Sequence, residues 1–98
     1  MNISTTKENQ KLTVILEGRL DYNTSPQLDG VLRDSLDGIT DLTIDMDSIT
    51  YISSAGLRLL LSTQKTMKKQ GVMRLINVRP EIMEIFEITG FSEILNIE

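Results

Sequence analysis

The 98-residue chain contains no histidine and no cysteine. Without imidazole or thiolate there is no Cys/His zinc site, no thiol nucleophile and no catalysis that needs an imidazole base. Disulfides are excluded, which fits a reducing, cytoplasmic setting. Proline is scarce, with two residues, and the longest strongly apolar stretch, GLRLLL, falls far short of a membrane span. The opening MNISTTKENQ lacks the apolar region of a secretory signal. These absences point away from membrane and secretion.

What is present is ordinary for a soluble globular protein: 40% hydrophobic and 24% charged residues. The length predicts one domain over residues 1–98, with a core too modest for a large internal substrate cavity. The formal net charge of −4, with no clustered basic face, argues against nucleic acid as a partner. Lys65, Lys68 and Lys69 form the one local cationic cluster, near the end of a predicted helix where cations suit the dipole.

Patterning predicts the element order ββαβαβαβ. KLTVILEG sets Leu12, Val14 and Leu16 at a period of two and reads as a strand, with MNIST pairing to it as a hairpin through KENQ. GRLDYNTS is a polar connection in which Thr24 or Ser25 can cap a helix, with Pro26 in its first turn. Leu28, Val31, Leu32 and Leu36 share a helical face, and Gly38 closes it. Asp41 to Met46 is a strand, Leu57, Leu60, Leu61 and Met67 form a second helical stripe ended by Gly71, and Val72 to Val78 is a further strand. Pro80 opens a third helix carrying Ile82, Ile85 and Phe86, Gly90 closes it, and SEILNIE adds a last short strand. The expected fold is α/β: a small mixed β-sheet with helices packed mainly on one face, because alternating helices and strands in so short a chain do not cover both.

The unusual stretch is YISSAGL, where Ser53, Ser54, Ala55 and Gly56 lie between a strand and a helix. A serine there can cap the helix, worth about 1 kcal/mol, and Gly56 permits close approach. A strand–turn–helix serine also resembles a nucleophile elbow, but the base is missing, and Lys65 is three turns away. Asp21, Asp45 and Asp47 could act as bases or bind a metal, although loop carboxylates are usually solvated or capping. The remaining reading is a phosphate acceptor: a helix N-terminus tolerates phosphoserine, with Ala55 and Gly56 leaving the hydroxyl open to a kinase. No enzymatic activity, cofactor or metal is expected of the chain itself.

IDMDSITYISSAGLRLLL resembles the signature of the bacterial anti-sigma factor antagonists, which are STAS domains. EGRLDYNTSPQLDGVL supports the match with its glycine, acidic-ending turn and following helix, and the element order agrees along essentially the whole chain. The resemblance implies binding to an anti-sigma factor that is also a serine kinase, inactivation by phosphorylation, and recovery through a serine phosphatase. By position it makes Ser54 the acceptor. Ser53 stands where many members carry aspartate and is the second candidate. It places Asp21 and Asn23 of the neighbouring loop, with Asp47, Ser53, Ala55, Gly56 and Arg58, on or near the same partner-binding surface. The family also includes subunits that bind a transport ATPase or another partner without phosphorylation, which is the alternative function.

Overall fold

A computed structural model describes residues 1–98. Strands β1 (Asn2–Glu8) and β2 (Lys11–Leu20) form an antiparallel hairpin. Its turn is tighter than expected: Asn9 adopts φ +57°, a left-handed conformation that asparagine tolerates, so two residues suffice. Helix α1 (Ser25–Ser35) leads to β3 (Asp41–Ile52), and α2 (Ser54–Lys68) leads to β4 (Val72–Ile76). Helix α3 (Pro80–Thr89) and a short 3-10 turn (Phe91–Glu93) complete the chain. The sheet order is β1-β2-β3-β4, with β2/β3 and β3/β4 parallel.

The expected mixed sheet is found, and its burial is one-sided. Leu12, Val14, Leu16 and Leu20 of β2, Leu42, Ile44 and Met46 of β3, and Met73 and Leu75 of β4 are buried. Leu28 and Leu32 of α1, Leu57, Leu60 and Met67 of α2, and Ile82 and Phe86 of α3 join the same cluster of 21 apolar side chains. The registered row Thr13–Thr43–Arg74 lies on the opposite, more exposed face.

Several boundaries differ from the pattern reading. Strand β3 does not stop at Met46. Its buried residues step by two to Met46 and then by three to Ile49 and Ile52. At the two jumps β3 pairs an extra residue against β2, between Ile15/Glu17 and Gly18/Arg19. Each such bulge shifts the inward phase by one residue while the ladder continues. Strand β4 ends early, at Ile76, because Asn77 turns at φ +57° and its side chain donates to Asp45 Oδ1 at 3.2 Å. The final strand reduces to one parallel bridge, Leu75 to Ile97, because Ser92 and Glu93 of the expected strand belong to the 3-10 turn. Gly71 does more than end α2: a β-carbon there would overlap the Thr40 carbonyl, which accepts from Val72 N–H at 2.9 Å.

Candidate functional site

Strands β2 and β3 run parallel and finish side by side, with Leu20 registered to Ile52 and Ser53 N–H donating to Leu20 O at 3.0 Å. The loop after Leu20 and the start of α2 therefore emerge together at the carboxyl ends of the strands, where open α/β sheets place their binding sites. Both segments singled out by the sequence meet here.

Ser53 has extended backbone and occupies the N-cap position of α2, with its carbonyl accepting from Leu57 N–H at 2.9 Å. Its hydroxyl makes no capping bond and is buried without a partner. Ser54, the first residue of α2, is exposed. Gly56 points the other way and is buried. An added β-carbon would come within 2.8 Å of Leu20 Cγ, 2.8 Å of Leu20 O and 2.9 Å of Ile52 Cγ1. The glycine therefore lets α2 start directly on the strand ends, and it neither opens Ser54 to solvent nor offers a partner a surface.

The 21–24 loop is built around one carboxylate. Asp21 Oδ1 accepts from Asn23 N–H at 2.9 Å, Thr24 N–H at 3.1 Å and Thr24 Oγ1 at 3.2 Å, while Arg19 Nε approaches Oδ2 at 3.5 Å. Thr24 Oγ1 also donates to Arg19 O at 2.7 Å and accepts from Asp21 N–H at 2.9 Å. Neither Thr24 nor Ser25 caps α1 with its side chain: Thr24 is committed to this loop, and the Ser25 hydroxyl is buried without a partner. Desolvation pushes the Asp21 carboxyl up, but the bonds from Thr24 and Asn23 and the nearby Arg19 outweigh it and hold it below the ordinary aspartate range. Asp21 shapes the loop, and exposed Asn23 and Tyr22 ride on it.

Arg58 and half-buried Ala55 line a groove between α1 and α2 with Tyr22, Ser25, Asp29 and Leu59. Asp47 is not part of this cluster. It lies upstream on β3, roughly 20 Å of extended strand from Ser53, and its carbonyl accepts from Arg79 Nε at 2.6 Å beside the start of α3. The bulged continuation of β3 carries the serine junction away from it. Pattern reading passed over Tyr22, which is 80% exposed at the rim of the groove. An aromatic inside the otherwise polar DYNTS was the available signal.

A family model described as the STAS domain matches residues 2–98. The anti-sigma-B factor antagonist of Staphylococcus aureus is 30% identical over 99 aligned positions, covering 99% of this chain and 92% of that protein. Two solved structures share the fold. An anti-sigma factor antagonist from Mycobacterium paratuberculosis superposes with a TM-score of 0.87 at 20% identity, covering 98% of this chain and 83% of that one. The phosphorylated form of the Bacillus cell fate determinant SpoIIAA superposes with a TM-score of 0.77 at 16% identity, covering 99% and 91%.

Proposed function

The chain belongs to the STAS domain family, and on that footing we propose that it is an anti-sigma factor antagonist switched by phosphorylation of Ser54. Its partner is an anti-sigma factor with serine kinase activity, and a serine phosphatase reverses the modification. The name of the 30% identical Staphylococcus aureus relative supports the antagonist role. The observation that carries the switch is the contrast between the two serines: Ser54 stands exposed at the first position of α2, whereas the Ser53 hydroxyl is enclosed. A kinase can reach the first without disturbing the fold. The partner surface comprises Ser54, Ala55 and Arg58 of α2 with Tyr22 and Asn23 of the adjacent loop.

The chain acts by binding. Ser54 has no imidazole to activate it, and the neighbouring Asp21 is occupied in holding its own loop. No helix is long and apolar enough to cross a membrane, and we place the switch in the cytoplasm. Phosphorylation adds about −1.5 to −2 charges at pH 7. Enclosing such a charge at an interface without a partner costs several kcal/mol, and about 5.5 kcal/mol carries an equilibrium from 99:1 to 1:99. One phosphate thus supplies most of the switch.

The test is incubation of the protein with ATP and the candidate anti-sigma kinase, followed by mass spectrometry. One phosphate is expected on Ser54 and none on Ser54→Ala. Ser54→Asp should bind the anti-sigma factor at least tenfold more weakly. Affinity equal to wild type in Ser54→Asp, with no phosphate transferred to Ser54, removes the switch.

A further inference from the structure

Arg58 is the cation of α2 that the helix dipole leaves unexplained. Lys65 and Lys68 occupy the last turn, where positive charge is favoured, whereas Arg58 sits near the opposite end. It is exposed, and it takes part in none of the ion pairs, which engage Arg19, Arg33, Arg74 and Arg79. No carboxylate lies on its own helix, SAGLRLLLSTQKTMK. Asp29, across the groove, is already held by Arg33 at 2.9 Å. Ser25 borders the same groove, but its hydroxyl is enclosed and offers nothing to a ligand there. Arg58, four residues from Ser54 on α2, therefore carries a charge that no carboxylate of this chain pairs with.

We propose that Arg58 is the intramolecular receptor for a phosphate on Ser54. The inference rests on Ser54 being the acceptor and adds what the modification does next. Ser54 and Arg58 are four residues apart on one helix, with Cβ atoms about 5–6 Å from each other and the anion N-terminal to the cation, the favoured order for such a pair. That separation is within reach of an arginine side chain, whose planar fork engages two phosphate oxygens at once. Phosphorylation then changes the surface twice. It adds about −1.5 to −2 charges at the first residue of α2, which one guanidinium offsets only in part, and it withdraws that guanidinium from the groove, so a partner carboxylate that used Arg58 loses its cation as it meets the phosphate.

The experiment uses full-length protein with phosphoserine incorporated genetically at position 54, observed by 31P NMR across pH 4.5 to 8. In wild type the second phosphate ionisation should lie roughly 0.2–0.4 pH unit below that of Arg58→Gln. Lys65→Gln should titrate like wild type, Arg58→Lys should fall between, and the difference should shrink in 0.5 M salt. The helix dipole acts on all variants alike, so the wild type minus Arg58→Gln difference isolates the pair. Identical titrations for those two proteins overturn the inference, and if the kinase still modifies Ser54 the switch itself survives. A clear difference together with a kinase that ignores Ser54 does the reverse: the pair stands and the switch reading fails.

Discussion

The N–H of Ser53 donates to the carbonyl of Leu20 at 3.0 Å, and this bond sets the serine junction beside the Asp21 loop. It also decides which serine faces outward. With its backbone tied to β2, Ser53 turns its hydroxyl into the protein, where no partner meets it. A buried hydroxyl without a hydrogen bond contributes nothing to offset its desolvation. Ser53→Ala should therefore leave stability within about 0.5 kcal/mol of wild type, or raise it, even though an N-cap serine ordinarily contributes about 1 kcal/mol. It should also remain a full kinase substrate. Urea denaturation and the phosphorylation assay check both expectations, and loss of phosphorylation in Ser53→Ala alone would transfer the acceptor role to that residue.

Gly56 and Gly71 predict stability losses of different size. Alanine normally favours a helix interior over glycine by about 1 kcal/mol. At Gly56 that gain meets contacts of 2.8 Å with Leu20 O and Cγ and 2.9 Å with Ile52 Cγ1. Leu20 O is backbone and bonded to Ser53, so α2 itself has to shift, at about 1–3 kcal/mol net destabilisation. The site moves with it, so Gly56→Ala should also slow phosphorylation of Ser54. Gly71→Ala, which drives a methyl into the Thr40 backbone, should be the more destabilising of the two. Denaturant midpoints rank them, and a Gly56→Ala protein as stable as wild type would refute the close docking of α2.

The acid limb of stability should carry an Asp21 contribution. Its folded-state carboxyl ionises below the ordinary range, despite desolvation, because Thr24, Asn23 and Arg19 stabilise the anion. A depressed folded pKa means that the unfolded chain takes up the proton first as pH falls. The contribution is therefore complete above the unfolded aspartate value, near 3.9, and disappears as pH drops through the lower folded value. Asp21→Asn should flatten stability against pH in that window and leave the profile from pH 6 to 8 parallel to wild type. Thermal unfolding at pH 2.5, 4 and 7 measures it.

The elements were legible wherever one period held. Leu12, Val14 and Leu16 announced β2, and Leu57, Leu60 and Met67 announced α2, because a single face of each is buried. The far half of β3 was hidden because two bulges break its alternation, so Ile49 and Ile52 appear out of phase in a linear reading. The resemblance sets Asp47 on the same surface as the serines, but extended strand, Ser48 to Ile52, separates it from Ser53. The two segments of the candidate site were legible from SSAG and DYNTS. The division of labour within it was not, since only tertiary contacts show that Gly56 packs inward, Ser53 is sealed and Asp21 ties a loop.

Tyr22 supplies the last prediction. It is 80% exposed on a loop whose neighbours Asp21 and Thr24 are locked by hydrogen bonds, so the ring is held out at little further loss of backbone entropy on binding. Tyrosines presented in this way are frequent anchors of protein interfaces, where truncation costs about 2 kcal/mol or more. If the antagonist surface is the groove rim beside Ser54, Tyr22→Ala should weaken anti-sigma factor binding by about 30-fold. Its urea midpoint should match wild type, because the ring is largely solvated before binding. Asp21→Ala should weaken binding less directly, through disorder of the loop, and should show a lowered midpoint as well. Calorimetric titration of both variants separates the roles, and unchanged affinity in Tyr22→Ala would move the interface away from the 21–24 loop.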